Sequence, residues 1–194
     1  NVQRAQQFLG RHILVENLSA YMELPGSTYQ EAEFLVKLCQ QTGCKLLVDL
    51  NNLIVNAINR PLLDADTTHT NTASTSATNK NQQASEHIIS IAKQWLDKIP
   101  AALVAEIHLA GCTPNLAGEL MIDDHSQPVS HEVWQLYHYA LEKFGAVATL
   151  IEWDENLPSW QTLLAEAEKA KTIAFETLAL TDNEQQAEEI ANEH

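Results

Sequence analysis

Four short apolar runs in this chain each stop at a side chain able to bind a metal ion, and that repeated ending constrains the fold more than any other feature. His12 to Val15 closes on Glu16, Lys45 to Val48 on Asp49, Val104 to Ile107 on His108, and Val147 to Ile151 on Glu152. Short, nearly continuous apolar runs are the pattern of parallel strands buried on both faces. A fifth stretch, Leu120-Met121-Ile122, leads into Asp123 and His125. In extended chain, residues two apart point to the same side, so Asp-x-His can offer both side chains to one ion. Ile122 is expected to be buried in the run that anchors this segment.

Between the runs the chain reads as helices. Val2 to Leu9 looks like the last turns of a helix already under way, and with Asn1 as its first residue the chain is expected to be a fragment. Thr28-Tyr29-Gln30-Glu31 has the form of a capping box for a helix running to about Gln41, with Ala32, Leu35, Leu38 and Cys39 on its apolar face and Gly43 as its stop. Ile88, Ala92, Trp95 and Ile99 recur at helical spacing before Pro100. Ser130 is placed as the N-cap of a helix that carries Val133, Tyr137, Ala140 and Leu141 on one face and ends at Gly145. Pro158 opens a last helix through about Leu178, with Trp160, Leu163, Leu164 and Ala167 expected inward. Two stretches lack a packing face. Asp64 to Ser85 holds six Thr and no aliphatic side chain larger than Ala, which predicts a mobile insertion; Thr181 to His194 predicts a frayed acidic tail.

Alternating strands and helices with polar strand ends are what a parallel barrel or a doubly wound sheet requires, and in both the function lies at those ends. No glycine-rich phosphate loop follows any strand, which argues against a nucleotide-binding sheet. The fold class is therefore α/β, of the (β/α)8 barrel family. A complete barrel typically takes about 250 residues, so these 194 residues are expected to supply only the C-terminal four or so βα units. The domain expected is 1–180, interrupted at 64–85, with 181–194 as tail.

Twenty-six acidic residues against 11 basic ones give a net charge of −15. Such a chain repels phosphate backbones and anionic membrane surfaces, so no nucleic acid and no membrane are expected as partners. Cys39, Cys44 and Cys112 are odd in number and form no Cys-x-x-Cys pair. That points to reduced thiols in a cytoplasmic protein, not to a disulfide framework or a thiolate zinc site.

A carboxylate after a strand is often a loop residue or helix cap, and a buried His is often simply satisfied in the core. Together, however, converging strand ends would press Glu16, Asp49, Asp123 and Glu152 into mutual repulsion, which bound cations relieve. Glu106 shares a strand face with His108, and Asn51 and Asn52 follow Asp49; these are candidates for ligating or orienting. Asp124 and Asp154 read as exposed. Oxygen and imidazole ligands without cysteine suit iron, manganese or zinc.

The ordered set ILVEN-x-S-x-Y, EAEFL, TGCKLLVDLNN, EIHLAG, LMIDDH followed by Pro-Val, and TLIEWD resembles the motifs of the multinuclear non-haem iron-dependent oxidative enzymes, which include the methanobactin biosynthesis enzyme. The resemblance spans roughly Val2 to Lys169 outside 64–85. It implies a triosephosphate-isomerase-type barrel with two or three iron ions at its C-terminal mouth, held by Glu16, Asp49, His108, Asp123, His125 and Glu152, with Asn52 as a further ligand. It implies dioxygen-dependent modification, at cysteine, of a ribosomally made precursor peptide that a partner protein presents. The family's N-terminal strands, which carry two further histidine ligands, have no counterpart here. A zinc or manganese barrel acting as a sugar isomerase or phosphodiesterase, and a non-catalytic barrel fragment, are the alternatives.

Overall fold

The structure, a computed structural model, describes residues 1–22, 26–63, 77–115 and 119–192, with side chains for all of these except 62–63, 77–81 and 182–192. Four strands, β1 (Leu14–Glu16), β2 (Lys45–Asp49), β3 (Val104–Leu109) and β4 (Ala148–Ile151), lie side by side in sequence order, every pair parallel. The order never reverses, so the described sheet has no switch point of the doubly wound kind. Helices α1 (Val2–Leu9), α2 (Glu31–Thr42), α3 (Leu50–Leu63), α4 (Ala77–Asp97), α5 (His131–Phe144) and α6 (Trp160–Asn192) complete the chain, with a 3-10 turn at Ala101–Leu103. Helix α3 packs on α4, α4 on α5 and α5 on α6, which makes them one continuous layer.

That layer covers one face of the sheet, where Leu46, Val48, Ile107 and Leu109 are fully buried. Pairing in register puts Glu16, Leu47 and Glu106 in one row and Asp49, His108 and Leu150 in the next, on the opposite face. This second face is partly open: Leu14 is 36% and Leu150 43% exposed. No helix among the described residues is long and apolar enough to cross a membrane.

Several elements follow their sequence signals. Ala32, Leu35 and Cys39 are buried, Gly43 ends α2 in the left-handed conformation (φ 74), and the Ser130 hydroxyl accepts from the Val133 N–H at 3.2 Å. Others depart from them. The capping box does not form: α2 begins at Glu31 with Gln30 in the cap position and no side-chain cap. The Glu31 carboxylate is drawn away by the Leu18 N–H (3.1 Å) and the Trp95 indole N–H (3.0 Å). The stretch Asp64–Ser85, expected to be mobile, is helical from Ala77, and Ser85 donates to the Glu132 carboxylate at 2.7 Å. Once formed, α4 extends backward to Ala77, since each residue added to a helix gains a backbone hydrogen bond. Residues 64–76 lie outside the described set.

Of the tail expected at 181–194, residues 181–192 are helical, because α6 does not stop near Leu178 but continues to Asn192; residues 193–194 lie outside the described set. Its inward stripe is not the one expected. Trp160, Leu164 and Ala167 are exposed, Leu163 is half-buried, and Ala170 and Thr177, seven residues apart, are the buried pair. Small residues there let α6 lie close against α5. Helix α3 starts directly after Asp49 and buries Leu50, Leu53, Ile54, Val55 and Ala57.

Candidate metal centre

Parallel strands in register bring Glu16, Asp49, His108 and Glu152 to one end of the sheet. One ligating atom from each lies within 4.8 Å of every other, and a second group with the same spacing combines His125, Glu152 and Asp154. Glu152 belongs to both.

The local chemistry of each position follows from its element. Asp49 ends β2 and is fully buried; its Oδ1 accepts from the Asn52 N–H at 2.7 Å, while Oδ2 has no hydrogen-bond partner. Asn17, also buried, ties the end of β1 to the end of β2: its amide donates to the Asp49 carbonyl and its oxygen accepts from the Asp49 N–H, both at 2.9 Å. That pair sets Glu16 beside Asp49. Asn52 donates to the Asn17 carbonyl at 3.0 Å and leaves its own buried Oδ1 unpartnered. His108 stands between two carboxylates, with Nδ1 2.9 Å from Glu152 and Nε2 3.4 Å from Glu106.

Asp123 and His125 do not lie on a strand. The segment is irregular, and His125 adopts a left-handed backbone (φ 45), a conformation uncommon outside glycine, though histidine enters it more readily than most residues. The two side chains meet nonetheless: His125 Nε2 is 2.7 Å from Asp123 Oδ1 and 3.9 Å from Asp49 Oδ2, while Nδ1 is 3.3 Å from Glu152 and 3.2 Å from Asp154. Neither ring nitrogen is aligned for a hydrogen bond with any of them. Close approach without alignment is what a shared cation would resolve. Asp123 also accepts from the Asn51 amide at 2.7 Å, and its N–H donates to the Tyr21 hydroxyl at 2.9 Å. Ile122, expected to anchor the segment by burial, is 55% exposed.

The electrostatics are those of a site short of positive charge. Burial pushes the Asp49 carboxyl up to about 7, with the Asp123 and Glu16 charges adding to the rise. Burial and the Glu152 charge raise Glu16. For His125 burial acts downward, but contact with Asp123 and the charges of Asp49 and Glu152 outweigh it and bring the ring up to about 9. Protons are held here where a metal ion could replace them.

Of the seven sequence candidates, Glu16, Asp49, His108 and Glu152 form the first group and His125 joins the second. Asp123 reaches the site through His125, and Asn52 lies behind Asp49. Asp154 belongs to the second group although it is 64% exposed, as its position past the strand suggests. Asn17 enters the sequence pattern only as the last residue of the ILVEN motif, with no task assigned to it there.

Fold and site together define a parallel α/β protein with a carboxylate and imidazole cluster, able to hold metal, at the C-terminal ends of its strands. Residues 1–175 match the family described as RiPP precursor modification enzyme MbnB/TglH/ChrH, and the chain belongs to that family. A UPF0276 protein of Vibrio parahaemolyticus is 42% identical over 175 residues, which cover 89% of this chain and 51% of the relative. UPF0276 proteins of a Caulobacter strain and of Acaryochloris marina are 38% and 37% identical over 171 residues, covering 88% of this chain in each case and 52% and 51% of those relatives. The chain spans about half the length of the curated relatives it matches.

Proposed function

We propose that this chain carries the metal centre of an enzyme that oxidatively modifies a ribosomally made precursor peptide at cysteine, in a protein whose full form is a β/α barrel. The observation that carries the metal reading is the pair of ligand groups sharing Glu152, with buried, unpartnered oxygens at Asp49 and Asn52 and unaligned ring nitrogens at His125. Family membership supports the peptide substrate. The resemblance in the motifs supports iron, two or three ions, over zinc or manganese, and a partner protein that presents the peptide.

The residues have separable tasks. Glu16, Asp49, His108 and Glu152 would hold one ion, and His125, Glu152 and Asp154, with Asp123 beside them, would hold another, with Glu152 common to both groups. Glu106 lies against His108 Nε2 and orients the ring. Iron held here would supply the redox chemistry and the activation of dioxygen. Asp154, the most exposed member, marks the side from which a peptide thiol would enter. The buried side, lined by Asp49 and Asn52, keeps water out.

The test is iron content after anaerobic loading, with oxygen uptake in the presence of precursor peptide, for the wild type, Asp49→Asn and Glu152→Gln. The reading expects Glu152→Gln to lose more iron than Asp49→Asn, because it removes a group common to both ions. Wild-type iron in both variants would overturn the assignment.

A further inference from the structure

Helix α3 presents Asn52, Asn56 and Asn59 at spacings of four and three, one stripe along the helix. Each spends its amide on the backbone of a loop beside the metal centre. Asn52 donates to the Asn17 carbonyl (3.0 Å). Asn56 donates to the Leu18 carbonyl (2.9 Å) and accepts from the Ala20 N–H (2.6 Å). Asn59, fully buried, donates to the Met121 carbonyl (2.9 Å) and accepts from the Met121 N–H (2.7 Å). A primary amide meeting both polar groups of one residue reproduces the pairing a neighbouring strand would offer.

Met121 precedes Asp123 by two residues and His125 by four, in a segment that is neither helix nor strand. Its outward side chain at Ile122 contributes little packing, since more than half of it faces solvent. Much of what fixes the segment is therefore polar. Asn59 holds it at Met121, Asn51 holds the Asp123 carboxylate from the start of the same helix, and Tyr21 receives the Asp123 N–H. Buried backbone groups need such partners, and one asparagine supplies both for Met121.

We infer that α3 is an amide clamp that sets the position of the metal-binding loops, and that Asn59 is a positioning residue for Asp123 and His125. It touches neither ligand and acts through the backbone of Met121. The inference rests on the metal reading above for its consequence, though not for its geometry. It explains why a helix with so many weak helix formers follows Asp49: the side chains that lower its intrinsic propensity are the ones that bind the loops.

The test uses Asn59→Leu, similar in volume but without either hydrogen bond, with His125→Ala and Asp49→Asn for comparison. Manganese(II) titration followed by electron paramagnetic resonance of the free ion gives affinity and stoichiometry, and hydrogen exchange of the ion-free proteins gives the state of each segment. Asn59→Leu should weaken the same ion as His125→Ala, by about 10- to 100-fold, and leave the ion lost in Asp49→Asn in place. Exchange protection should fall across 119–125 and persist in β2 and β3. Wild-type binding in Asn59→Leu overturns the inference, as does an equal loss of all ions with protection lost throughout the sheet, which would mark a general structural role.

If the wild type binds no manganese, the iron analysis above judges the metal reading, and hydrogen exchange alone decides the clamp. Protection lost only across 119–125 upholds it, and unchanged protection at Met121 overturns it. Should Asn59→Leu not fold, Asn59→Asp keeps the shape and the acceptor but turns its second oxygen toward the Met121 carbonyl. The same outcomes apply to it.

Discussion

Asp49 and His125 hold protons more tightly in the folded chain than free side chains do, which ties stability to pH in a definite direction. The Asp49 carboxyl is raised from 3.8 to about 7, so its contribution is fully present below pH 3.8 and is lost as pH rises through 7. His125 is raised from 6.5 to about 9, so its contribution is present below pH 6.5 and is lost as pH rises through 9. Both act in the same sense. With metal removed by a chelator, the thermal midpoint should therefore fall between pH 4 and pH 9. With a divalent ion added it should instead gain most at the high end, because ligands must lose protons to bind. Parallel midpoint curves with and without ion would show that no proton is exchanged for metal at these residues. Gly111 offers a second test at this scale. A Cβ added there would lie 2.0 Å from the Pro128 carbonyl oxygen, and Gln127 donates its N–H to the Gly111 carbonyl. Neither neighbour is a flexible side chain. Gly111→Ala should cost about 3 kcal/mol in urea denaturation, since the end of β3 must part from the segment after His125.

At the scale of elements, the segment Glu119–Ser126 separates stability from ion binding. Ile122→Asp places a charge on a side chain that already faces solvent, so the change in stability should stay within about 0.5 kcal/mol. His125→Ala should keep the fold and lose an ion. Denaturation midpoints and metal content of the two variants check this, and a collapse of folding in Ile122→Asp would show that the segment is anchored by burial after all. The strands that carry the site were legible because each apolar run ends where its ligand stands, and a parallel sheet gathers such ends without further information. Asp-x-His was legible as a pair for a reason that does not hold, since the two side chains meet through the left-handed turn at His125 and not through strand alternation. Helix α3 was not legible. Its Asn51, Asn52, Asn56 and Asn59 lower helix propensity, Ile54, Val55 and Ile58 favour strand, and Pro61 reads as a breaker. The helical period of Leu50, Leu53, Ile54, Ala57 and Ile58 is present but masked by these opposing signals. The inward face of α6 was misread because Trp160 and Leu164 outweigh Ala170 in any hydrophobic count, whereas close helix packing selects the small residue.

At the largest scale the described residues form an open sheet of four parallel strands, one face sheathed in helices, and the other bearing both the ligand groups and the exposed Leu14 and Leu150. Strands β1 and β4 each pair on one side only within the described sheet. A parallel sheet is stable when both faces are covered and its edges are paired, and the curated relatives are about twice as long as the matched region. On the barrel reading, a polypeptide of the relatives' full length closes this sheet. Leu14 and Leu150 should then become buried and β1 and β4 gain partners on their free sides. Urea unfolding should remain a single transition, with an m-value larger roughly in proportion to the added surface buried. Iron per chain should rise as well, because these ligands leave positions open on two or three ions that further side chains can fill. Side-by-side unfolding, hydrogen exchange and iron analysis of the two polypeptides decide it. Two separate unfolding transitions, with iron content equal to that of this chain, would mean that the four-stranded sheet is a self-sufficient unit and that its open face serves something other than barrel closure.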